Sequence, residues 1–294
     1  MNVTRIPSTP GDSAEALSRL MTLHASPPDL PGDADLTPVL PHTGDIPGTW
    51  VTAGRVTVGK GVTIYLHGGG FEYTNPHFEQ LMAYRLSQVT GRPVLAVDYR
   101  LAPAHRYPAA LDDAVAAYRS LLGQGVPASR IILAGESAGG TLLLSALLVL
   151  KEAGDPLPAA ALAVSPQTDL TLSSPSIDAN DGQDVVGRAV LDHVRTQYLD
   201  GERPDRAPQS PLHGDLRGLP PLLLAVGSKE VMLDDSRRFA ETMSTAGGDV
   251  RLDIYEGMPH AFHATVLLAD PPPVATTLLR RIAEWADKVA TASA

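Results

Sequence analysis

An α/β fold, with a mostly parallel sheet and helices on both faces, is the class this sequence predicts, and three observations predict it. Short apolar or β-branched runs alternate with helical patterns along most of the chain: 62–66, 94–97, 131–134, 160–164, 222–226 and 250–255. Alternation of this kind reads as strands joined by crossover helices. Gly135-Glu136-Ser137-Ala138-Gly139 sits directly between one such run and a helix-forming stretch, and His67-Gly68-Gly69-Gly70 directly follows another.

Taken in chain order, residues 1 to about 48 are rich in Pro and Gly around one amphipathic stretch, Ser13 to His24, and stand outside the alternation. Trp50 to Val58 reads as an outer antiparallel strand pair turning at Ala53-Gly54. The first parallel strands are Val62 to Leu66 and Val94 to Val97, followed by Ile131 to Ala134 with a helix over Thr141 to Lys151. That helix is short and flanked by charges, which suits a core helix. After Ala160 to Val164 the pattern breaks between 171 and 218, a polar loop with one helical stretch, Gly187 to Leu199. Leu222 to Val226 and Val250 to Tyr255 resume the strands and complete a single unit over 49–294. No internal repeat or low-complexity segment is visible.

The chemistry concentrates at the two glycine motifs. A strand that turns sharply into a helix strains its central residue and lifts the side chain above the sheet edge, beside the free N–H groups of the helix N-terminus. Ser137 holds that position. With 26 glycines in 294 residues, the five-residue pattern alone carries little weight, and its strand-to-helix context is what matters. Consecutive glycines at 68–70 expose backbone donors of the kind that stabilise an oxyanion, worth roughly 10²–10³ in rate per donor. Gly68, Gly69 and the N–H of Ala138 are the candidate donors. A phosphate-binding turn is the weaker reading, because neither G-K-[ST] nor G-x-G-x-x-G follows.

A serine nucleophile needs a base and the base an orienting carboxylate, in the chain order serine, acid, histidine for this type of turn. Four histidines follow Ser137. His193 falls in a helical stretch and His213 in a Pro-flanked loop, whereas His260 lies in the loop after the strand 250–255 and is the candidate base, with His263 in reserve as a surface or loop-packing residue. The loop after 222–226 offers Glu230, Asp234 and Asp235. Glu230 comes first in the loop and is preferred; Asp234 stays open as the alternative, since both aspartates suit the opening turn of a helix. Lys229 reads as a solvated charge.

Together with these motifs, the run Asp98 to Ala110 (DYRLAPAHRYPAA), Gly135 to Gly140, Ser165 to Leu170 (SPQTDL), Gly218-Leu219-Pro220-Pro221 and Gly257 to His260 resembles the bacterial hormone-sensitive lipase family of α/β-hydrolase esterases, over roughly residues 60 to 290. The resemblance implies Ser137 as nucleophile, His260 as base, Glu230 as acid, and Gly68, Gly69 and Ala138 as oxyanion donors. It also implies a cap over the site, built from residues 1–48 and from the insertion 171–218, with Phe71, Tyr73, Phe78 and Tyr198 as candidate pocket residues. Two departures stand out: Ala104 where relatives carry glutamate, expected to loosen a hydrogen-bond network, and Glu136 where aspartate is commoner.

Composition narrows the class. A formal charge of −10 and a pI near 5.3 argue against nucleic-acid binding. No run of 18 apolar residues supports a membrane span, no apolar segment follows the single N-terminal arginine as in a signal peptide, and the chain has no cysteine. The expectation is a cytoplasmic serine carboxylesterase for short- to medium-chain esters, the chain length being implied by the family. No cofactor or metal is expected, the partner is a small-molecule ester, and a homodimer is left open. Two rivals keep the same fold: an amide deacetylase or acyltransferase using the same three side chains, and a non-catalytic ligand receptor.

Overall fold

A computed structural model describes residues 1–39, 46–54, 56 and 60–292. Nine strands form one sheet: β1 (Asn2–Ile6), β2 (Ala34–Val39), β3 (Gly48–Ala53), β4 (Val62–Leu66), β5 (Val94–Val97), β6 (Ile131–Glu136), β7 (Ala160–Val164), β8 (Leu222–Gly227) and β9 (Val250–Tyr255). Their spatial order is β1-β9-β8-β7-β6-β4-β5-β3-β2. All pairings from β1 through β5 are parallel, while β3 runs antiparallel to both β5 and β2.

The helices are α1 (Pro10–Ala25), α2 (Pro76–Thr90), α3 (Ala109–Gly123), α4 (Ala138–Ala153), α5 (Ser176–Ala179), α6 (Arg188–Leu199), α7 (Leu233–Thr245) and α8 (Pro273–Ala292). The central strands are apolar throughout because both faces are covered, and alternate residues serve alternate cores. Ile131 and Leu133 pack with α3, α4 and α7, through residues such as Tyr118, Leu142 and Phe239. Ile132 and Ala134 pack on the opposite face with α1, α2 and α8, through Leu23, Met82 and Ile282. No described helix is long and apolar enough to cross a membrane.

Two expectations concern the edges of the sheet. Residues 1–48 supply both edge strands of the sheet, β1 against β9 and β2 against β3, besides the helix α1. The outer partner of β3 among the described residues is therefore β2, from upstream. The returning strand expected to Val58 falls mainly on residues 55 and 57–59, outside the described residues.

The parallel arrangement decides where the site lies. β4, β6, β7, β8 and β9 all end at the same edge of the sheet, so the segments that follow them gather there. These segments begin at His67, Ser137, Ser165, Ser228 and Glu256.

Candidate active site

Ser137 is the single residue between the end of β6 and the start of α4, with φ 52° and ψ −122°. A non-glycine residue held in such a region costs about 1–3 kcal/mol and persists only where its surroundings enforce it. Here its N–H donates to the Val164 carbonyl at 2.8 Å and its own carbonyl accepts from Thr141 N at 3.0 Å. Gly139 explains the second glycine of the motif: a Cβ there would collide with the carbonyls of Leu66 and His67, so only glycine lets α4 start against the end of β4.

From that turn a chain of side chains runs to the acid loop. The Ser137 hydroxyl lies 3.1 Å from His260 Nε2, and His260 Nδ1 lies 3.0 Å from Glu230 Oε2. With Nδ1–H donating to the carboxylate, Nε2 is left to accept from the serine. The other oxygen of Glu230 accepts from Ser165 Oγ at 2.7 Å and from Gly227 N at 2.6 Å, so this buried carboxylate has a donor on each oxygen. Burial alone would push the His260 imidazole down; the hydrogen bond and charge of Glu230, with Asp184 and Glu136 behind it, outweigh that and raise it above 6.5.

The other candidates are occupied elsewhere. Asp234 accepts from Ser176 N at 3.0 Å and from Arg237 at 3.1 Å, and Asp235 accepts from the backbone of Thr168 and Asp169 at 2.7 and 2.8 Å. His193 lies on α6 and pairs with Glu72 at 3.4 Å, while His213 pairs with Asp169 at 3.1 Å. His263 is not a surface residue: it is buried, with Nε2 2.7 Å from Glu136 Oε2.

Gly68 requires a correction. Its N–H donates to Glu136 Oε1 at 2.8 Å and is therefore spent within the protein. Among the described residues, the N–H groups of Gly69, Gly70 and Ala138 show no such partner, and all three residues line the cleft beside Ser137. Glycines at 69 and 70 have φ of 102° and 63°, the left-handed turn that swings successive N–H groups outward. Glu136 is the residue that sequence reasoning undervalued. Burial pushes its carboxyl up, but His263, the Gly68 N–H and His67 together hold it down at about 2. The signal for it was its place immediately before Ser137. Ser165, at φ 51°, was likewise missed in its role beside Glu230. Ala104 is exposed, and Arg100 in the same run is held by Asp113 through contacts of 2.8–3.1 Å.

The cleft above Ser137 encloses about 430 Å³. Phe71 and Phe78 line it, and Tyr73, 70% exposed, stands at its rim. Tyr198 does not line it; the ring is 2% exposed and stacks behind Phe71 at a centroid distance of 3.8 Å. Leu23 of α1, Met82 of α2, Leu267, and Val190 and Val194 of α6 add apolar lining. Among the described residues no three His, Asp or Glu side chains converge as a metal-ligand set.

A mostly parallel sheet in which the strand-to-helix turn at Ser137 and the loops carrying Glu230 and His260 meet at one edge is the arrangement of the α/β-hydrolase class. Residues 63–264 match the sequence family described as an alpha/beta hydrolase fold. The chain belongs to that fold family and, within it, to the bacterial hormone-sensitive lipase family of esterases. An esterase of the latter family, known from its crystal structure, superposes with a TM-score of 0.86 at 33% identity, over 97% of this chain and 100% of the other. An acetyl-hydrolase of Streptomyces hygroscopicus is 41% identical over 232 residues, 76% of this chain and 77% of its own length. An esterase of Acinetobacter venetianus is 37% identical over 73% of this chain and 74% of the other.

Proposed function

We propose that this chain is a serine carboxylesterase in which Ser137 attacks the ester carbonyl, His260 carries the proton and Glu230 holds and stabilises the imidazole. The observation that carries the reading is the unbroken contact from Ser137 Oγ through His260 to Glu230, at 3.1 and 3.0 Å, next to unpartnered backbone donors. As Ser137 attacks, its proton passes to His260 Nε2, and the charge formed on the imidazole faces the buried Glu230 carboxylate. The carbonyl oxygen becomes an oxyanion, for which Gly69, Gly70 and Ala138 supply preorganised N–H groups. The imidazolium then protonates the leaving alcohol. Water, deprotonated by the same nitrogen, releases the acid and restores Ser137.

A 430 Å³ cleft whose lining includes the apolar side chains of Leu23, Phe78 and Met82 suits acyl chains of short to medium length. Residues 1–48 and 171–218 act as the cap in this reading, through α1 and α6, which both contribute to that lining. The name of the Streptomyces relative places acetyl esters first among the substrates to test, with acetyl amides as the second class.

Hydrolysis of p-nitrophenyl esters from acetate to long acyl chains, with Ser137→Ala as control, tests the reading. Turnover that falls with chain length and vanishes in the variant supports it. Activity surviving in Ser137→Ala would remove the serine from the mechanism.

A further inference from the structure

The segment between α5 and α6 does more than wall the cleft. Asp184, half-buried, reaches down between the two loops that carry the acid and the base. Its Oδ1 accepts from the backbone N–H of His260 at 2.6 Å and from Val185 N at 2.7 Å, and its Oδ2 accepts from the N–H of Val231, the residue after Glu230, at 2.8 Å. One carboxylate thus joins the backbone of the base to the backbone beside the acid, from a third part of the chain. Asn180, four residues earlier, reinforces the seam by donating to the Glu230 carbonyl at 2.7 Å and, at 3.3 Å, to that of Ser228. Neither loop has a regular element to hold it at these points, since β8 ends at Gly227 and β9 at Tyr255.

We infer that Asp184 is a positioning residue for ester hydrolysis: it fixes the His260 loop and the Glu230 loop at the spacing that lets the imidazole bridge serine and acid. This rests on the Ser137-His260-Glu230 reading above. A charge-assisted hydrogen bond to backbone N–H is strong and directional, and two from one rigid carboxylate set a distance as well as an orientation. A displacement of about 1 Å at reacting groups is enough to cost on the order of 10²-fold in rate. The carboxylate has a second consequence. The groups facing His260 are Glu230, Asp184 and Glu136, together with the His263 ring at a centroid distance of 6.3 Å. Asp184 is therefore one of three negative charges that favour the imidazolium, while burial pushes its own carboxyl up, Glu230 adding to this and His260 opposing it.

The test uses Asp184→Asn, Asp184→Glu and Asn180→Ala in the full chain, with kcat expressed per Ser137 site titrated by a fluorophosphonate, so that any unfolded fraction drops out. In Asp184→Asn one backbone N–H faces an amide in place of a carboxylate oxygen. Its kcat is expected to fall by about 10–100-fold with KM little changed. The acidic limb of its kcat/KM profile should move to lower pH, because a negative charge near the imidazole is gone. Asp184→Glu, which keeps the charge and lengthens the reach, should recover the position of that limb and part of kcat. Asn180→Ala should show a smaller loss with no shift of the limb. Wild-type kcat per site and an unmoved limb in Asp184→Asn would overturn the inference, as would a loss carried wholly by KM. If instead Ser137→Ala remains active, the failure belongs to the underlying reading and not to Asp184.

Discussion

At the scale of single residues, the choice between carboxylates turns on what each already holds. Glu230 has one oxygen on His260 and the other on two protein donors, whereas Asp234 serves the start of α5 and an arginine. Glu230→Gln is expected to lower kcat by about 10²–10⁴, since the amide can no longer stabilise the imidazolium, while Asp234→Asn should change it only a few-fold. Steady-state kinetics on one ester decides, and the reverse order would transfer the acid role to Asp234. Chain order and loop context were enough to single out Ser137, His260 and Glu230, which the fold brings within hydrogen-bond reach of one another. They were not enough for Gly68, because a backbone donor's availability depends on who accepts from it, and Glu136 lies 68 residues away. Tyr198 failed for a related reason: an aromatic ring on a helix such as α6 has two ways to face, and this one faces Phe71.

Elements were legible where they are buried and regular. The run 160–164 matches β7 in both bounds, because a strand covered on both faces is apolar at nearly every position, and the run 250–255 matches β9, whose apolar residues alternate with Arg251 and Asp253. β1 and β2 escaped notice for the opposite reason. Both lie at the outside of the sheet and are largely exposed, so the alternation that marks a strand is faint, and Pro38 in β2 is tolerated only because the strand is an edge. The junction of β6 and α4 carries a prediction of its own. Ser137 is held at φ 52°, and glycine adopts that backbone freely. Ser137→Gly is expected to be more stable than Ser137→Ala by about 1–2 kcal/mol, both being inactive. Urea unfolding of the two variants checks it, and equal midpoints would mean the turn stores no strain.

For the whole molecule, two pH dependences follow from opposite shifts. His260 must be neutral to accept the serine proton and is raised above 6.5, so the acidic limb of kcat/KM is expected to have its midpoint above 6.5. A midpoint below that value would mean that burial outweighs the surrounding carboxylates. Glu136 is lowered to about 2 from the usual 4.5, so its contribution to stability is present above pH 4.5 and is lost as pH falls through about 2. Across that window the wild type should lose on the order of 2–3 kcal/mol more than Glu136→Gln. Chemical denaturation at several acidic pH values measures the difference, and parallel curves would show that Glu136 is not held ionised by the fold.

The sheet's outer pairing also bears on how the chain reaches its native state. Asn2 of β1 lies opposite Arg251 of β9, so β1 has no partner in the sheet until β9 is in place. Parallel pairing over such a separation carries a large loop-closure cost and is a slow step in self-assembly. On a ribosome, the segments after β4, β6 and β7 emerge well before the histidine loop that follows β9. In the proposed mechanism ester turnover needs all of them, and it should therefore report late in folding, after far-ultraviolet circular dichroism has already recovered most of its helical signal.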